Sequence, residues 1–528
     1  MNCDGYVKYT VDDYVALEKS LHDRMIKFIK KGGKNYIYGA GLFGRRMLFF
    51  LERHGDCADK ISGFIVTDKE GNPDIIKGKK VFCVKDVDLI DAGVILALGV
   101  EHHGGLLAKL KECNCSNILS FESWEYNHMF WCNHQLSSQI VDKYREYWAP
   151  RINCKYNISD WKHVLIICID RIGEVILNIP FIRELHRNLN YNTKITLVIR
   201  SPAVQFMELC PYVDDIIVYN GREYIGEYTE DSIHKSKLFA DRYFRTEGYD
   251  VAFITGWHNI DIEGLFLAVF SRARLRIGFS EHNMSHKEFC NMNFDKFLSL
   301  PIKSVSIMHD VERALSLVTT MGGDIKSNCL EIWTKEQDAK YAENFFMMNH
   351  LSKYRVIAIV PHALDEARMW DWHRYAELID VIGMNFKKVF FLLLGGEDSN
   401  MLCNKITEYC KCNRVIDLSG KTNLRQVAEI LRLCTIYIGA DTGLAHIAAA
   451  VNLPTIEIVC HSREGDPLEY PAPERYRPWG NKSYIVRPEK ALPGCGATCY
   501  KRQAHCINQI SVHDVMSVAR KALKTTGF

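Results

Sequence analysis

Tyr437-Ile-Gly-Ala-Asp-Thr-Gly-Leu-Ala-His-Ile-Ala-Ala-Ala450, followed by Val451-Asn-Leu-Pro454, decides the fold. A short apolar run ends on Asp441 and Thr442, both good N-cap residues, and Gly443 opens an alanine-rich stretch that favours helix. A buried strand feeding a capped helix through a tight turn is the βα unit of a parallel sheet. Such a turn offers backbone N–H groups and the positive end of a helix dipole, which suits a phosphate or pyrophosphate. Gly443 allows close backbone approach. His446 lies one turn beyond Thr442 on the same face, so its ring reaches the same anion. The plain alternative is a capped, well-packed helix with no ligand. Asp-Thr-Gly with His at this spacing favours the anion site.

The same alternation extends outward from this stretch. Upstream in the same series stand the strands Arg355–Val360, Val389–Leu394 and Thr435–Ile438, with a helix over Leu424–Leu433. An earlier series begins with Val164–Ile169, continues as a helix to about Asn188, and includes Lys194–Ile199, Asp215–Val218 and Asp250–Thr255. Its last helix, His309–Met321, is stopped by Gly322-Gly323. A first series holds strands at Asn35–Tyr38, Gly63–Thr67, Gly93–Leu98 and Asn117–Phe121, with a helix over Leu106–Glu112. The whole chain is therefore α/β, with parallel, doubly wound sheets. We expect a Rossmann-like domain at 1–125, a helical linker at 126–160, and two further α/β units at 161–335 and 336–528.

The 528-residue length accommodates about three domains of ordinary size. Hydrophobic residues at 47% and charged residues at 25% are globular averages, so the chain is not a disordered one. With 66 Lys+Arg against 64 Asp+Glu, overall charge gives no reason to expect nucleic acid as a partner. The 19 cysteines are scattered among apolar positions, which fits a reducing cytosol better than a disulfide framework. Met1–Lys8 has no apolar h-region, so a cleaved signal peptide is not expected, and no apolar run is long enough to cross a bilayer. These features predict a cytoplasmic protein with at most peripheral contact at the inner membrane.

A second informative stretch is Arg171-Ile-Gly-Glu-Val-Ile-Leu-Asn-Ile-Pro180, directly after the strand Val164–Ile169. It places the Glu174 carboxylate at the C-terminal edge of a parallel sheet, where open α/β sheets form their ligand crevices. Glu174 is there either as a general base or as an acid favouring the helix dipole.

Together the two stretches resemble glycosyltransferase family 9, the bacterial heptosyltransferases of lipopolysaccharide and related glycans. The resemblance continues through Pro211–Ile216, Tyr249–Val251, Arg276–Phe279, His309–Arg313, Arg368-Met-Trp370, Leu393–Glu397 and Ile510–Val512. It covers about two thirds of the chain, from near residue 161 to the end. It implies a GT-B fold, with 161–335 as the acceptor half carrying the base and 336–528 as the nucleotide-sugar donor half. It also implies inverting sugar transfer with no metal or other cofactor required for catalysis. Glu174 would be the base. Asp441, Thr442, Gly443, Leu444 and His446 would receive the donor phosphates, Arg368 would neutralise pyrophosphate charge, and Glu397 would hold the ribose hydroxyls. The implied donor is ADP-heptose. The acceptor would be a saccharide or lipid-linked saccharide of the envelope, or a protein hydroxyl.

This chain departs from the family pattern in three places. The family commonly has Asp where this chain has Glu174, which moves the carboxylate about one methylene outward. Arg368 stands where Lys is usual, and its fork suits phosphate oxygens. Pro361–Leu364 and Cys460–Arg463 replace the usual small-residue loops around the donor. A non-catalytic sugar-nucleotide-binding module of a glycan-assembly system is the competing reading.

Two further motifs stand apart. Gly39-Ala-Gly-Leu-Phe-Gly44 follows a strand, opens a helix and precedes Asp68 at the end of the next strand. That is the nucleotide fingerprint of Gly39, Gly41, Gly44 and Asp68, or else glycines that serve only strand–helix packing. No His, Lys or Tyr constellation accompanies it, so an NAD-dependent oxidoreductase is poorly supported. Near the C-terminus, Cys495, Cys499 and Cys506, with His505, have donor types suited to a structural zinc or iron ion, against the plainer reading of ordinary thiols.

Overall fold

The computed structural model describes residues 10–525, except 32, 54–56, 99–102, 123–124, 126–127, 130–133, 152–157, 222–229, 258–261, 291–292, 305, 481, 494 and 496–502. Within the described residues the strands collect into three six-stranded sheets. The first contains β1 (Asn35–Tyr38), β2 (Ile61–Val66), β3 (Ile75–Ile76), β4 (Lys79–Cys83), β5 (Gly93–Leu96) and β6 (Asn117–Leu119). Its order is β3-β4-β2-β1-β5-β6, parallel except for the β3–β4 hairpin. That hairpin turns through Lys77 and Gly78 at φ 47° and 76°. Two positive φ values in a two-residue loop match the backbone twist of the strands they join.

The second sheet holds β7 (His163–Cys168), β8 (Lys194–Ile199), β9 (Asp215–Val218), β10 (Val251–Ile254), β11 (Leu275–Phe279) and β12 (Leu300–Ile302). The third holds β13 (Arg355–Val360), β14 (Val389–Leu393), β15 (Val415–Asp417), β16 (Ile436–Ala440), β17 (Thr455–Ile458) and β18 (Ser483–Val486). Their orders are β12-β11-β10-β7-β8-β9 and β15-β14-β13-β16-β17-β18. Each is the doubly wound order in which strand direction of travel reverses beside the first strand of the unit. That point lies between β7 and β10 in one sheet and between β13 and β16 in the other, and crevices open there. Unbroken Val/Ile/Leu runs such as β7 are buried on both faces, as parallel strands covered by helices must be.

The helix Ile172–Asn188 follows β7 and is buried along nearly its whole length. Fully burying each of its Ile, Leu and Val side chains contributes about 1.5–3 kcal/mol. One continuous apolar cluster runs from Val164 and Ile179 in the second sheet unit to Val356, Val427 and Ile447 in the third. Polar ties join the same two units. Arg425 bonds the Gln205 carbonyl and pairs with Glu208 at 2.8 Å, and the Trp479 indole N–H donates to the Asn328 carbonyl at 2.8 Å. His309 accepts from Val311 N–H through Nδ1, and its Nε2 donates to the Arg477 carbonyl at 2.8 Å. These bonds hold the sheet edges opposite each other across a cleft.

The segment expected to be a helical linker contributes the helix His134–Lys143 and a short turn at Arg145–Tyr147. Tyr144 and Tyr147 pack edge-on against Phe270 of the second unit. No described helix is long and apolar enough to cross a membrane.

Candidate active site

The second and third units face each other through the loops that follow β7, β13 and β16. Between them lies a solvent-connected cleft of about 1210 Å³. Arg171 and Glu174 line it from one side, and His362, Arg368, Asp441, Thr442, Gly443, Leu444, His446 and Tyr470 from the other.

Glu174 sits in the first turn of the helix Ile172–Asn188, half-buried, where the helix dipole favours a carboxylate. Asn178 donates through its side chain to the Glu174 carbonyl at 2.8 Å, which fixes that turn. On the opposite wall Thr442 caps the helix Gly443–Ala450, and its Oγ1 accepts from Leu444 N–H at 3.1 Å. The cap occupies the Leu444 N–H, so the helix offers an anion its dipole and the N–H groups ahead of Leu444.

The two helix starts meet. A Cβ added at Gly173 would lie 2.6 Å from His446 Cδ2, and one at Gly443 would lie 3.1 Å from Ile172 Cβ. Gly173 is needed for this approach of the halves, and a side chain at Gly443 would require Ile172 to give by a few tenths of an ångström. Gly443 thus lines the cleft while its Cα lies close to Ile172. His446 is buried against Gly173, and its Nδ1 has no hydrogen-bond partner. Burial lowers its pKa, so the ring is neutral at physiological pH.

Arg368 is buried and pairs with Asp441, Nη1 to Oδ2 at 3.0 Å. Its Nη2 donates to the Tyr470 hydroxyl at 2.6 Å. Burial works against its charge, but Tyr470 and Asp441 outweigh that and hold its pKa well above the ordinary guanidinium value. Beneath this pair Glu457, on β17, is buried with no partner at Oε1. Burial and the adjacent Asp441 push its carboxyl well above the usual range, against the pull of Arg368 and Arg477.

Glu397 stands just beyond the end of β14. It is exposed on the turn after β14, and the cleft wall there is formed instead by Gly395, Gly396, Asp398 and Ser399. Tyr470 and Tyr476 reach the cleft without any signal in the local sequence pattern, whereas His362 comes from the Pro361–Leu364 loop expected around the donor.

The other two motifs resolve differently. Gly39 has φ +116°, and a Cβ there would lie 2.7 Å from the Ala97 carbonyl oxygen; one at Gly44 would lie 1.9 Å from that of Gly39. Backbone packing therefore accounts for both, and only Gly41 faces open space. Asp68 is exposed and accepts from Glu70 N–H at 3.1 Å. Near the C-terminus, Cys495 Sγ, His505 Nδ1 and Cys506 Sγ lie within 4.8 Å of one another, a soft donor set suited to zinc or iron. Cys499 lies outside the described residues. A second cluster, Glu281, His282 and Asp295, is a loop clamp: its two carboxylates accept backbone N–H groups from Asn293, Asp295 and Glu281.

Two facing doubly wound units with a polar cleft at their switch points define the GT-B class of glycosyltransferase fold. Crystal structures support that class. The chain covers 99% of a family 9 glycosyltransferase from Veillonella parvula, using 71% of its own length, with a TM-score of 0.56 at 18% identity. It covers 100% of the Escherichia coli ADP-heptose LPS heptosyltransferase II, using 69% of its length, with a TM-score of 0.51 at 16% identity. Residues 261–505 match the family model "Glycosyltransferase family 9 (heptosyltransferase)", so the chain contains a domain of glycosyltransferase family 9. Lipopolysaccharide heptosyltransferase 3 of Escherichia coli K12 is 24% identical over 300 residues, 54% of this chain and 79% of that protein. Lipooligosaccharide heptosyltransferase 2 of Haemophilus influenzae is 28% identical over 144 residues, 26% of this chain and 38% of that protein.

Proposed function

We propose that the chain is an inverting heptosyltransferase that transfers heptose from ADP-heptose to a saccharide of the bacterial envelope, with Glu174 as general base. The observation that carries this reading is the shared cleft. It brings an acceptor-side carboxylate, Glu174, to the same cavity as a donor-side guanidinium, Arg368, and a capped helix start, Thr442–Leu444.

In the proposed reaction an acceptor hydroxyl gives its proton to a Glu174 carboxylate oxygen while its oxygen attacks the anomeric carbon. The bond from that carbon to the β-phosphate oxygen breaks, and ADP leaves with the electron pair. Attack opposite the leaving group inverts the anomeric centre. Developing charge on the diphosphate meets groups already in place, which is where electrostatic catalysis gains most. A guanidinium has five donors; Asp441 and Tyr470 take two of Arg368's, leaving three for phosphate oxygens. Neutral His446 sits at the same helix and can donate one bond. These protein groups supply the positive charge, so the reading assigns no catalytic metal. We assign the Cys495–His505–Cys506 cluster, together with Cys499, to a structural zinc or iron ion. The relatives' acceptors suggest a cytoplasmic enzyme working at the inner-membrane surface.

Calorimetric titration with ADP, ADP-heptose and other nucleotide sugars tests the donor assignment. ADP and ADP-heptose should bind with micromolar affinity and uridine sugars at least tenfold more weakly. Equal binding of uridine and adenine nucleotides would remove ADP-heptose as the donor.

A further inference from the structure

The hydroxyl of Tyr470 joins the two walls of the cleft. It accepts from Arg368 Nη2 at 2.6 Å on the donor side and from Arg171 Nη1 at 2.9 Å on the base side. The same ring carries both guanidinium groups within cation–π reach, at 4.8 Å for Arg368 and 5.7 Å for Arg171. Arg171 is the N-cap residue of the helix that bears Glu174, so its position is tied to the base. Arg368 is held on its other side by Asp441. All five residues line one cavity.

We propose that Tyr470 is a positioning residue that presents Arg171 and Arg368 together to the leaving diphosphate, and that Arg171 is the second phosphate-binding cation of the site. This rests on the donor reading given above. The chemistry follows from what a phenol can do. A carboxylate at this position would hold both arginines but cancel charge needed by the phosphates. A neutral hydroxyl accepts two N–H bonds, overcomes the mutual repulsion of two cations, and leaves their charge available. The flanking cations push its pKa down, but burial outweighs them and raises it, so it stays a neutral phenol. With Asp441 neutralising one cation, a second is required to match a diphosphate, and Arg171 is the guanidinium placed to supply it. The arrangement exists only when the halves face each other, because its two arginines come from different units.

The test compares Tyr470→Phe with the unaltered protein by calorimetry, using ADP and adenosine as probes. Phenylalanine keeps the ring and its packing, so the melting temperature should hold. ADP affinity should fall about tenfold while adenosine affinity is unchanged, because only the phosphate contacts lose their alignment. Arg171→Gln should weaken ADP similarly, and adding it to Tyr470→Phe should cost little more. Equal ADP affinity in Tyr470→Phe and the unaltered protein would overturn the proposal while leaving the donor site standing. Parallel losses for ADP and adenosine would show a general packing role and overturn it too. No ADP binding by the unaltered protein would remove the donor reading and this proposal with it.

Discussion

Glu174 and Arg368 divide the chemistry of the cleft, and each carries a separable prediction. Glu174→Gln removes a base while keeping size and one acceptor, so transfer should fall at least 10²–10⁴-fold with ADP affinity unchanged. Glu174→Asp pulls the carboxylate back by a methylene; if reach matters in this chain, it should lose activity too, and steady-state rates decide. Arg368→Ala is a poor probe, since it strands the buried Asp441 charge at a cost of about 3–5 kcal/mol. Arg368→Lys keeps the charge but not the fork, and should weaken ADP binding about tenfold with a smaller loss of stability. Unchanged ADP affinity in calorimetry would take Arg368 out of the donor site. At this scale the sequence was legible where function is packed into short spacing, as in Asp441 to His446 or Arg171 to Glu174. It was silent on Tyr470, which meets Arg171 across 299 positions of chain. The strand end placed Glu397 on the turn after β14, but it could not say which residues of that turn line the cleft.

At the scale of elements, the helix starts at Ile172 and Gly443 form a joint, and its tolerance is small. Gly173→Ala would drive a Cβ to 2.6 Å from the His446 ring. Overpacking of this kind costs about 1–3 kcal/mol. The variant should melt several degrees lower and bind ADP more weakly, whereas an unchanged melt would mean that the joint is loose. His309 forms the second joint. Burial, opposed by the hydrogen bond to the Arg477 carbonyl and aided by the nearby Arg477 and Arg313 cations, pushes its ring down to about 3. The native ring stays neutral, while the unfolded chain takes up the proton below about pH 6.5. The contribution is complete above that value and is lost as pH falls from about 6.5 towards 3, amounting to roughly 3 kcal/mol by pH 4. His309→Asn keeps a capping acceptor but does not titrate, so its stability should decline less between pH 6.5 and 4. Denaturant melts across that range would show it, and parallel declines would contradict it. Strands with unbroken apolar runs, such as β7 and β13, were readable from their residues alone. β12, with Pro301 in its middle, was not, because only its place at the sheet edge excuses the missing donor. The β3–β4 hairpin was missed because Lys-Gly is a weaker turn signal than Asn-Gly.

Over the whole molecule, three α/β units were visible in the order of strands and helices. What composition could not show is that the second and third share one apolar core. That shared core makes the cleft a built feature rather than a gap between independent domains. In the glycine-rich turn of the first unit, Gly39 and Gly44 are demanded by neighbouring carbonyls while Gly41 is open, an arrangement common to the nucleotide reading and the packing reading. The cysteine cluster near the C-terminus makes a whole-protein prediction. Elemental analysis of the purified chain should find about one zinc or iron per molecule, lost in Cys495→Ser. A metal-free protein of full stability would reduce the cluster to ordinary thiols. The central claim is that one cleft holds donor and base on opposite walls. Its most direct test pairs ADP-heptose binding with ADP release for the unaltered protein and for Glu174→Gln, in the presence of envelope saccharide acceptors. Binding should be equal in the two proteins, with release at least a hundredfold slower in the variant. Equal release rates would contradict the claim.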